Sequence, residues 1–320
     1  MGLTGSTNPR IVAFLFPGQG SQVVGMGKDL AANYPLARMT FEEADAALEY
    51  KLSQLCFDGP EDRLKLTEIT QPAILTVSIA ALRVLKDRGL QPEYLAGHSL
   101  GEYTAHVAAG TISFAEAVRT VRNRGRYMQS AVPAGVGAMA AILGMKIDEL
   151  DGVCREASTD AEIVTPANIN SPDQIVISGH APAVQRAADL AKARGAKRAI
   201  MLQVSAPFHS PLMQPAQEAL EQDLNQLLFR NSSVPVAKNI DGELTQAADK
   251  SRHALVRQVT GAVQWVKCVE TLIGNGVTHF VEVGPSKVLC GLMRQIDRSQ
   301  TCMNVEDGAS VEKTLAAFSS

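Results

Sequence analysis

The pentapeptide Gly97-His98-Ser99-Leu100-Gly101 stands between an extended apolar run, Tyr94-Leu95-Ala96, and a helix-prone run that begins at Glu102. A serine on such a strand-to-helix turn has its hydroxyl thrust clear of the backbone, and the flanking glycines admit neighbouring chain where a Cβ would clash. The helix that follows points its free N–H groups, and the positive end of its dipole, back at the serine. That is the setting of a nucleophile whose attack on an acyl group creates an oxyanion. A Gly-x-Ser-x-Gly string also arises by chance in glycine-containing turns; here the strand and helix on either side favour the nucleophile.

The surrounding pattern predicts the scaffold. Ile11 to Phe16 reads as a buried strand, followed by a loop, Pro17-Gly18-Gln19-Gly20-Ser21-Gln22, whose glycines leave backbone N–H groups accessible. Gln71-Pro72 is expected to open a long apolar helix that ends near Gly89, and Ser113-Phe-Ala-Glu116 fits a capping box for a helix through about Met128. Strand, helix, strand, helix implies a parallel sheet with covered faces. Between Pro133 and Ser205 the order changes to β-α-β-β-α-β, with strands at Gly137 to Leu143, Ala161 to Asn168, Gln174 to Ser178 and Ala199 to Val204, and helices at Lys146 to Ala157 and Pro182 to Arg194. That is the ferredoxin-like order. The expected architecture is α/β, a large α/β-hydrolase-like domain (1–133 and 206–320) interrupted by a small ferredoxin-like subdomain (134–205). The large domain resumes with a helix after Pro211, a strand at Val234 to Lys238, helices around Leu255 and Trp265, and a buried strand at Phe280 to Val283.

With 320 residues, 46% of them hydrophobic, the chain can bury a substantial core, and a formal net charge of −3 carries no global signal for nucleic acid or a membrane surface. The apolar run at Ile11 to Phe16 is too short to span a bilayer. Five scattered cysteines, none in a Cys-x-x-Cys pair, argue for a reducing compartment and against a zinc site. A cytoplasmic protein, monomeric and without a resident cofactor or metal, is expected.

A serine hydroxyl needs a base. Of six histidines, His98 neighbours Ser99 in the turn and points away, His106, His253 and His279 sit within or beside regular elements, and His180 follows a strand of the small subdomain. His209 instead lies in the rigid loop Ala206-Pro207-Phe208-His209-Ser210-Pro211, just past a strand end, where catalytic groups are commonly presented. Between Ser99 and His209 the acids fall on polar helix faces or in a turn, so a Ser-His dyad, its imidazole oriented by a carbonyl or an amide, is the economical expectation. On the helix from Phe114, Arg124 lies at the edge of the apolar face, while Arg119, Arg122 and Arg126 lie on the flank or the far side. An inward arginine needs an anion, either a substrate carboxylate or a protein acid in a structural ion pair.

As a set, the motifs FPGQGSQ (Phe16 to Gln22), TQPA (Thr70 to Ala73), GHSLGEY (Gly97 to Tyr103), RGRYMQ (Arg124 to Gln129), NINSP (Asn168 to Pro172), SAPFHS (Ser205 to Ser210), VQW (Val263 to Trp265) and EVGP (Glu282 to Pro285) resemble the malonyl-CoA:acyl carrier protein transacylase family. The resemblance runs from about Ile11 to about Ile296. It implies a ping-pong transfer: Ser99 takes malonyl from coenzyme A as an ester and passes it to the phosphopantetheine thiol of acyl carrier protein, with His209 as base and acid. By the same matching, the N–H groups of Gln19 and Leu100 form the oxyanion hole, Arg124 pairs with the malonyl carboxylate, and Gln264 supports His209 through its carbonyl. Gln71 then lines the pocket, Asn168 and Asn170 lie near the cleft between the subdomains, and Leu100 with Phe208 resembles the malonyl-selecting pattern. The rival readings are a polyketide-synthase acyltransferase, a serine thioesterase that gives the acyl group to water, and a silent carrier-binding module. A substrate-reading Arg124 argues against the thioesterase, and intact Ser99, His209 and Arg124 argue against the silent module. For an acidic carrier the densest basic cluster is Lys192, Arg194, Lys197 and Arg198.

Overall fold

The computed structural model describes residues 10–204 and 206–319, so Ser205, the first residue of SAPFHS, and the segment before Arg10 lie outside the described residues. The chain begins β1 (Val12–Phe16), α1 (Lys28–Asn33), α2 (Pro35–Leu48), α3 (Leu52–Asp58), α4 (Glu61–Leu64), α5 (Thr67–Asp87), β2 (Tyr94–Gly97), α6 (Leu100–Ala108) and α7 (Phe114–Ser130). A middle part follows, β3 (Gly137–Leu143), α8 (Ile147–Ala157), β4 (Val164–Ser171), β5 (Gln174–His180), α9 (Ala181–Ala193) and β6 (Arg198–Met201). After a 3-10 turn at Pro211–Met213 come α10 (Gln214–Gln226), β7 (Val236–Ala237), β8 (Leu244–Thr245), α11 (Ala248–Arg257) and α12 (Trp265–Gly274). The chain closes with β9 (His279–Val283), α13 (Val288–Ile296), β10 (Thr301–Val305) and α14 (Gly308–Ser319).

The run Val-Ala-Phe-Leu-Phe of β1 is buried at every position, as a strand covered on both faces must be. It pairs in parallel with β2 on one side and β9 on the other. The resulting six-stranded sheet has the order β10-β9-β1-β2-β7-β8 and is parallel except for the β7–β8 pair. The fold is thus α/β with a mostly parallel central sheet. The middle part forms its own antiparallel sheet, β4-β5-β3-β6, which is the strand order of a ferredoxin-like unit. Its helices α8 and α9 supply a separate apolar core around Ile142, Leu150, Ile177 and Val184. Backbone bonds from Ile169 to Val263 and from Val263 to Ala167 tie β4 to the segment before α12, which holds this second sheet over the first.

The long helix α5 begins at Thr67, ahead of the expected Gln71-Pro72, and carries Pro72 in its interior. No side chain caps its start, so no local signal marks it. Packing sets it instead: Gly125 of α7 lies against the first turn of α5, and a Cβ there would stand 2.7 Å from both Thr67 O and Glu68 Cα. By length and composition α5 could cross a bilayer, but 89% of its apolar window is buried inside the protein, which makes it the central core helix. The capping box at Ser113 forms as expected, the Ser113 hydroxyl accepting from the Glu116 N–H at 3.3 Å. Two strands shift from their expected spans, to Val164–Ser171 and Arg198–Met201, because cross-strand pairing sets their ends; Ser171 is opposite Gln174.

The cysteine expectation is corrected. Cys290 on α13 and Cys302 on β10 form a disulfide, while Cys56, Cys154 and Cys268 are buried and free. Their partnership comes from packing of α13 beside the sheet edge, which spacing along the chain does not reveal, and it removes the cysteine argument for a reducing compartment.

Gly125→Ala tests the close approach of α5 and α7. In an open helix this change would gain about 0.5–1 kcal/mol; here the added methyl meets backbone and should cost about 1–3 kcal/mol, read as a lower denaturation midpoint. A gain in stability would mean that the helices are free to part.

Candidate active site

The turn after β2 is forced by close packing. A Cβ on Gly97 would lie 1.9 Å from the Gly101 carbonyl carbon, and one on Gly101 would lie 2.0 Å from the Phe16 carbonyl oxygen. Only glycine lets the turn close on itself and on the end of β1. Ser99, between them, is held at φ 51° and ψ −104°, a strained conformation for a residue with a side chain. His209 is also left-handed, at φ 56°. Two such residues facing each other imply that the surrounding packing imposes the geometry.

Ser99 Oγ lies 2.7 Å from His209 Nε2. On its other side His209 Nδ1 lies 2.8 Å from the carbonyl oxygen of Gln258. A carbonyl only accepts, so in the neutral ring Nδ1 carries the proton and Nε2 offers its lone pair to the serine hydroxyl. Burial, and next the Arg124 charge, push the His209 pKa down to about 3, which keeps the imidazole free to take a proton. The orienting carbonyl was expected from Gln264. That is corrected: Gln264 caps α12 and donates its N–H to Asn239 O at 2.8 Å, and the carbonyl that meets the imidazole belongs to Gln258, at the C-terminal end of α11.

Arg124 is 2% exposed, on the buried face of α7 as its spacing predicted. Its Nη1 donates to Gln71 Oε1 at 2.7 Å, and its Nη2 donates to Gln258 Oε1 at 2.9 Å and to Ser99 Oγ at 3.1 Å. The Tyr103 ring covers it, 5.5 Å from the guanidinium carbon. All three partners are neutral oxygens; among the described residues no carboxylate forms an ion pair with Arg124. The structural ion pair weighed from the sequence is therefore not present, and the buried cation faces Ser99 with only neutral oxygens hydrogen-bonded to it.

A cavity of about 280 Å³ opens above these groups, and Gln19, Gln71, Ser99, Leu100, Arg124, Asn168, Phe208 and His209 all line it, whereas Gln264 does not. Met139, Ala141 and Val176 of the second sheet give it an apolar wall. Leu100 is the first residue of α6, so its N–H has no partner within the helix. The Ser99 N–H, by contrast, is taken by Asn239 Oδ1 at 2.7 Å. His98 turns away from Ser99, as expected, with its Nε2 2.8 Å from Asn170 Oδ1. Gln258, Asn239 and Glu102, which hold the turn in place, were missed as site residues. Gln258 lies a few residues before the VQW motif, just past a helix end, and no periodicity marks it.

A serine hydroxyl paired with a neutral histidine and a buried arginine, at the carboxyl end of a parallel sheet, has the arrangement of a serine acyltransferase-type site on an α/β scaffold. The chain belongs to the acyl transferase domain family, whose model matches residues 13–314. It is similar to the malonyl CoA-acyl carrier protein transacylase of Bacillus subtilis, 49% identical over 305 residues covering 95% of this chain and 96% of the relative. Among solved structures it is similar to the malonyl CoA-acyl carrier protein transacylase of Coxiella burnetii, with a TM-score of 0.94, 43% identity, and coverage of 96% of this chain and 98% of that one. A malonyl-transacylase solved in complex with its type II PKS acyl-carrier protein matches with a TM-score of 0.93 and 45% identity over 96% of this chain and 99% of that one.

The depressed His209 pKa has two consequences. Between its ordinary value of about 6.5 and about 3 the unfolded chain binds a proton that the folded chain does not, so folding weakens as pH falls through that window. The base itself stays neutral there: single-turnover acylation should hold level from about pH 8 to about pH 5. A rate that falls with an apparent pKa near the ordinary histidine value would contradict the burial argument.

Proposed function

We propose that the chain moves a malonyl group from malonyl-CoA to the phosphopantetheine thiol of acyl carrier protein through an ester on Ser99. His209 Nε2 takes the hydroxyl proton as Oγ bonds to the thioester carbon, and returns it to the coenzyme A sulfur as the carbon–sulfur bond breaks. The second half-reaction runs the same steps in reverse with the carrier thiol. The N–H groups of Gln19 and Leu100 receive the oxyanion, and Gln71, Asn168 and Phe208 bound the acyl pocket. No resident cofactor enters these steps. We assign the activity to fatty acid synthesis in the cytoplasm, carried out by a monomer, with the large domain at 1–133 and 206–320 and the inserted subdomain at 134–205.

One observation carries this reading: a buried guanidinium whose partners are all neutral oxygens stands 3.1 Å from the nucleophile. Burying a cation without an anion is costly, and a carboxylated acyl group bound on Ser99 supplies the missing charge. A neutral acyl group does not, which disfavours an ordinary thioesterase. The test is the intact mass after mixing with malonyl-CoA: a malonyl adduct, absent in Ser99→Ala, should leave only when holo carrier protein is added. Arg124→Ala should lower malonyl transfer by about 10- to 150-fold while acetyl transfer falls little, so the preference collapses. An unchanged malonyl-to-acetyl ratio in a folded variant would remove Arg124 from recognition.

For the carrier we propose the exposed edge at β6. Lys192, Lys197 and Arg198 are exposed there beside Ile200 and Met201, and Leu202 and Val204 lead from it to the cavity; Arg194 of the expected cluster is engaged by Glu156. A basic rim around an apolar patch suits an acidic partner. Reversing the charges of Lys197 and Arg198 should slow transfer to carrier protein, chiefly at low salt, and spare acylation by malonyl-CoA. Equal slowing of both halves would reject this face.

A further inference from the structure

Glu102, on α6 one turn past Ser99, is fully buried and does not line the cavity. Its Oε2 accepts from Gln258 Nε2 at 2.8 Å and from the Asn239 N–H at 3.1 Å. Gln258 Nε2 also donates to the Ser99 carbonyl at 2.9 Å. Both amide protons of Gln258 are then committed, and its Oε1 is left for Arg124. The carbonyl of the same residue holds His209. Asn239 bridges the nucleophile turn in turn, taking the Ser99 N–H on Oδ1 and donating from Nδ2 to the Gly97 carbonyl at 2.7 Å.

The two ends of a side-chain amide are alike in shape and opposite in polarity, so only its partners decide which end faces where. If Gln258 turned over, an N–H would point at the Arg124 guanidinium. An acceptor fixed behind Nε2 prevents that, and Glu102 Oε2 already accepts there from Gln258 Nε2 and from the Asn239 N–H. We propose that Glu102 is a positioning residue: it fixes the polarity of the Gln258 amide and anchors Asn239, and through them it aligns Arg124, His209 and Ser99 together. The inference rests on the reading of Arg124 as the malonyl carboxylate's partner.

Retaining an acid here is expensive. Burial pushes its pKa up to about 7, against the pull of the bonds from Gln258 and Asn239, and Glu102 Oε1 has no partner. An apolar side chain of similar size would ordinarily be as stable or more so. The Gln258 amide also stands between Glu102 and Arg124, bonded to both, so the acid acts on the cation only through space and its carboxylate does not take up the guanidinium N–H groups.

Glu102→Met removes the acceptor, Glu102→Asp withdraws it by one methylene, and Glu102→Gln keeps an oxygen where Oε2 lies. Kinetics with malonyl-CoA and acetyl-CoA should show the malonyl-to-acetyl ratio of kcat/KM falling about 10-fold or more in the Met and Asp variants, with kcat lowered for both substrates, and largely retained in the Gln variant. If Glu102→Met does not fold, Glu102→Asp carries the comparison. Variants that melt earlier yet keep the wild-type ratio would reduce Glu102 to a structural residue and overturn the proposal. The wild-type malonyl adduct, measured alongside, separates this failure from failure of the malonyl reading: absence of the adduct strikes the function, its presence with unchanged ratios strikes only Glu102.

Discussion

A buried guanidinium hydrogen-bonded only to neutral oxygens is the constraint on which the site depends. Left in an apolar interior such a charge would cost many kcal/mol, and Arg124 is kept there by oxygens brought from separate parts of the chain. Gln71 comes from α5, Gln258 from the end of α11, and Ser99 from the turn after β2. The face of Tyr103 adds a cation–π contact. Each neutral oxygen lowers the cost of burial without cancelling the charge, which leaves the cation available to a carboxylate and also holds the His209 pKa down.

The fold meets this requirement by bringing strand ends together. β1 delivers the Gln19 loop, β2 the Ser99 turn, and β7 leads to Asn239, all at the carboxyl end of parallel strands. The second sheet closes the cavity from above with apolar side chains and is tied down through the Ala167–Val263 and Ile169–Val263 bonds. Polar chemistry is confined to the floor. An acyl thioester can therefore lie against an apolar wall while its reacting carbon meets the only hydroxyl paired with a base among the lining residues.

Much of this was legible along the chain where chemistry is local. Gly97, Ser99 and Gly101 are needed by one tight turn, and the spacing of Phe114, Val118, Val121 and Arg124 is that of one helix face. The central strand β1 shows itself by an unbroken apolar run, and the β-α-β-β-α-β order of the middle part by alternating periods. Misplaced features depend on neighbours far away in sequence. The start of α5 is set by Gly125, the Cys290–Cys302 pair by α13 lying beside β10, and the carbonyl that orients His209 by where α11 happens to end.

The sequence by itself singled out Ser99, His209 and the inward Arg124 as candidates, because a strained turn, a proline-framed loop and a helical period are written in adjacent residues. Only the tertiary structure decided which carbonyl faces the imidazole, that no carboxylate among the described residues pairs directly with Arg124, and that Glu102 lies behind Gln258. Backbone carbonyls are chemically identical at every position, and a buried charge is satisfied or left open by residues 25 to 134 positions away in the chain; neither is encoded until the chain has packed.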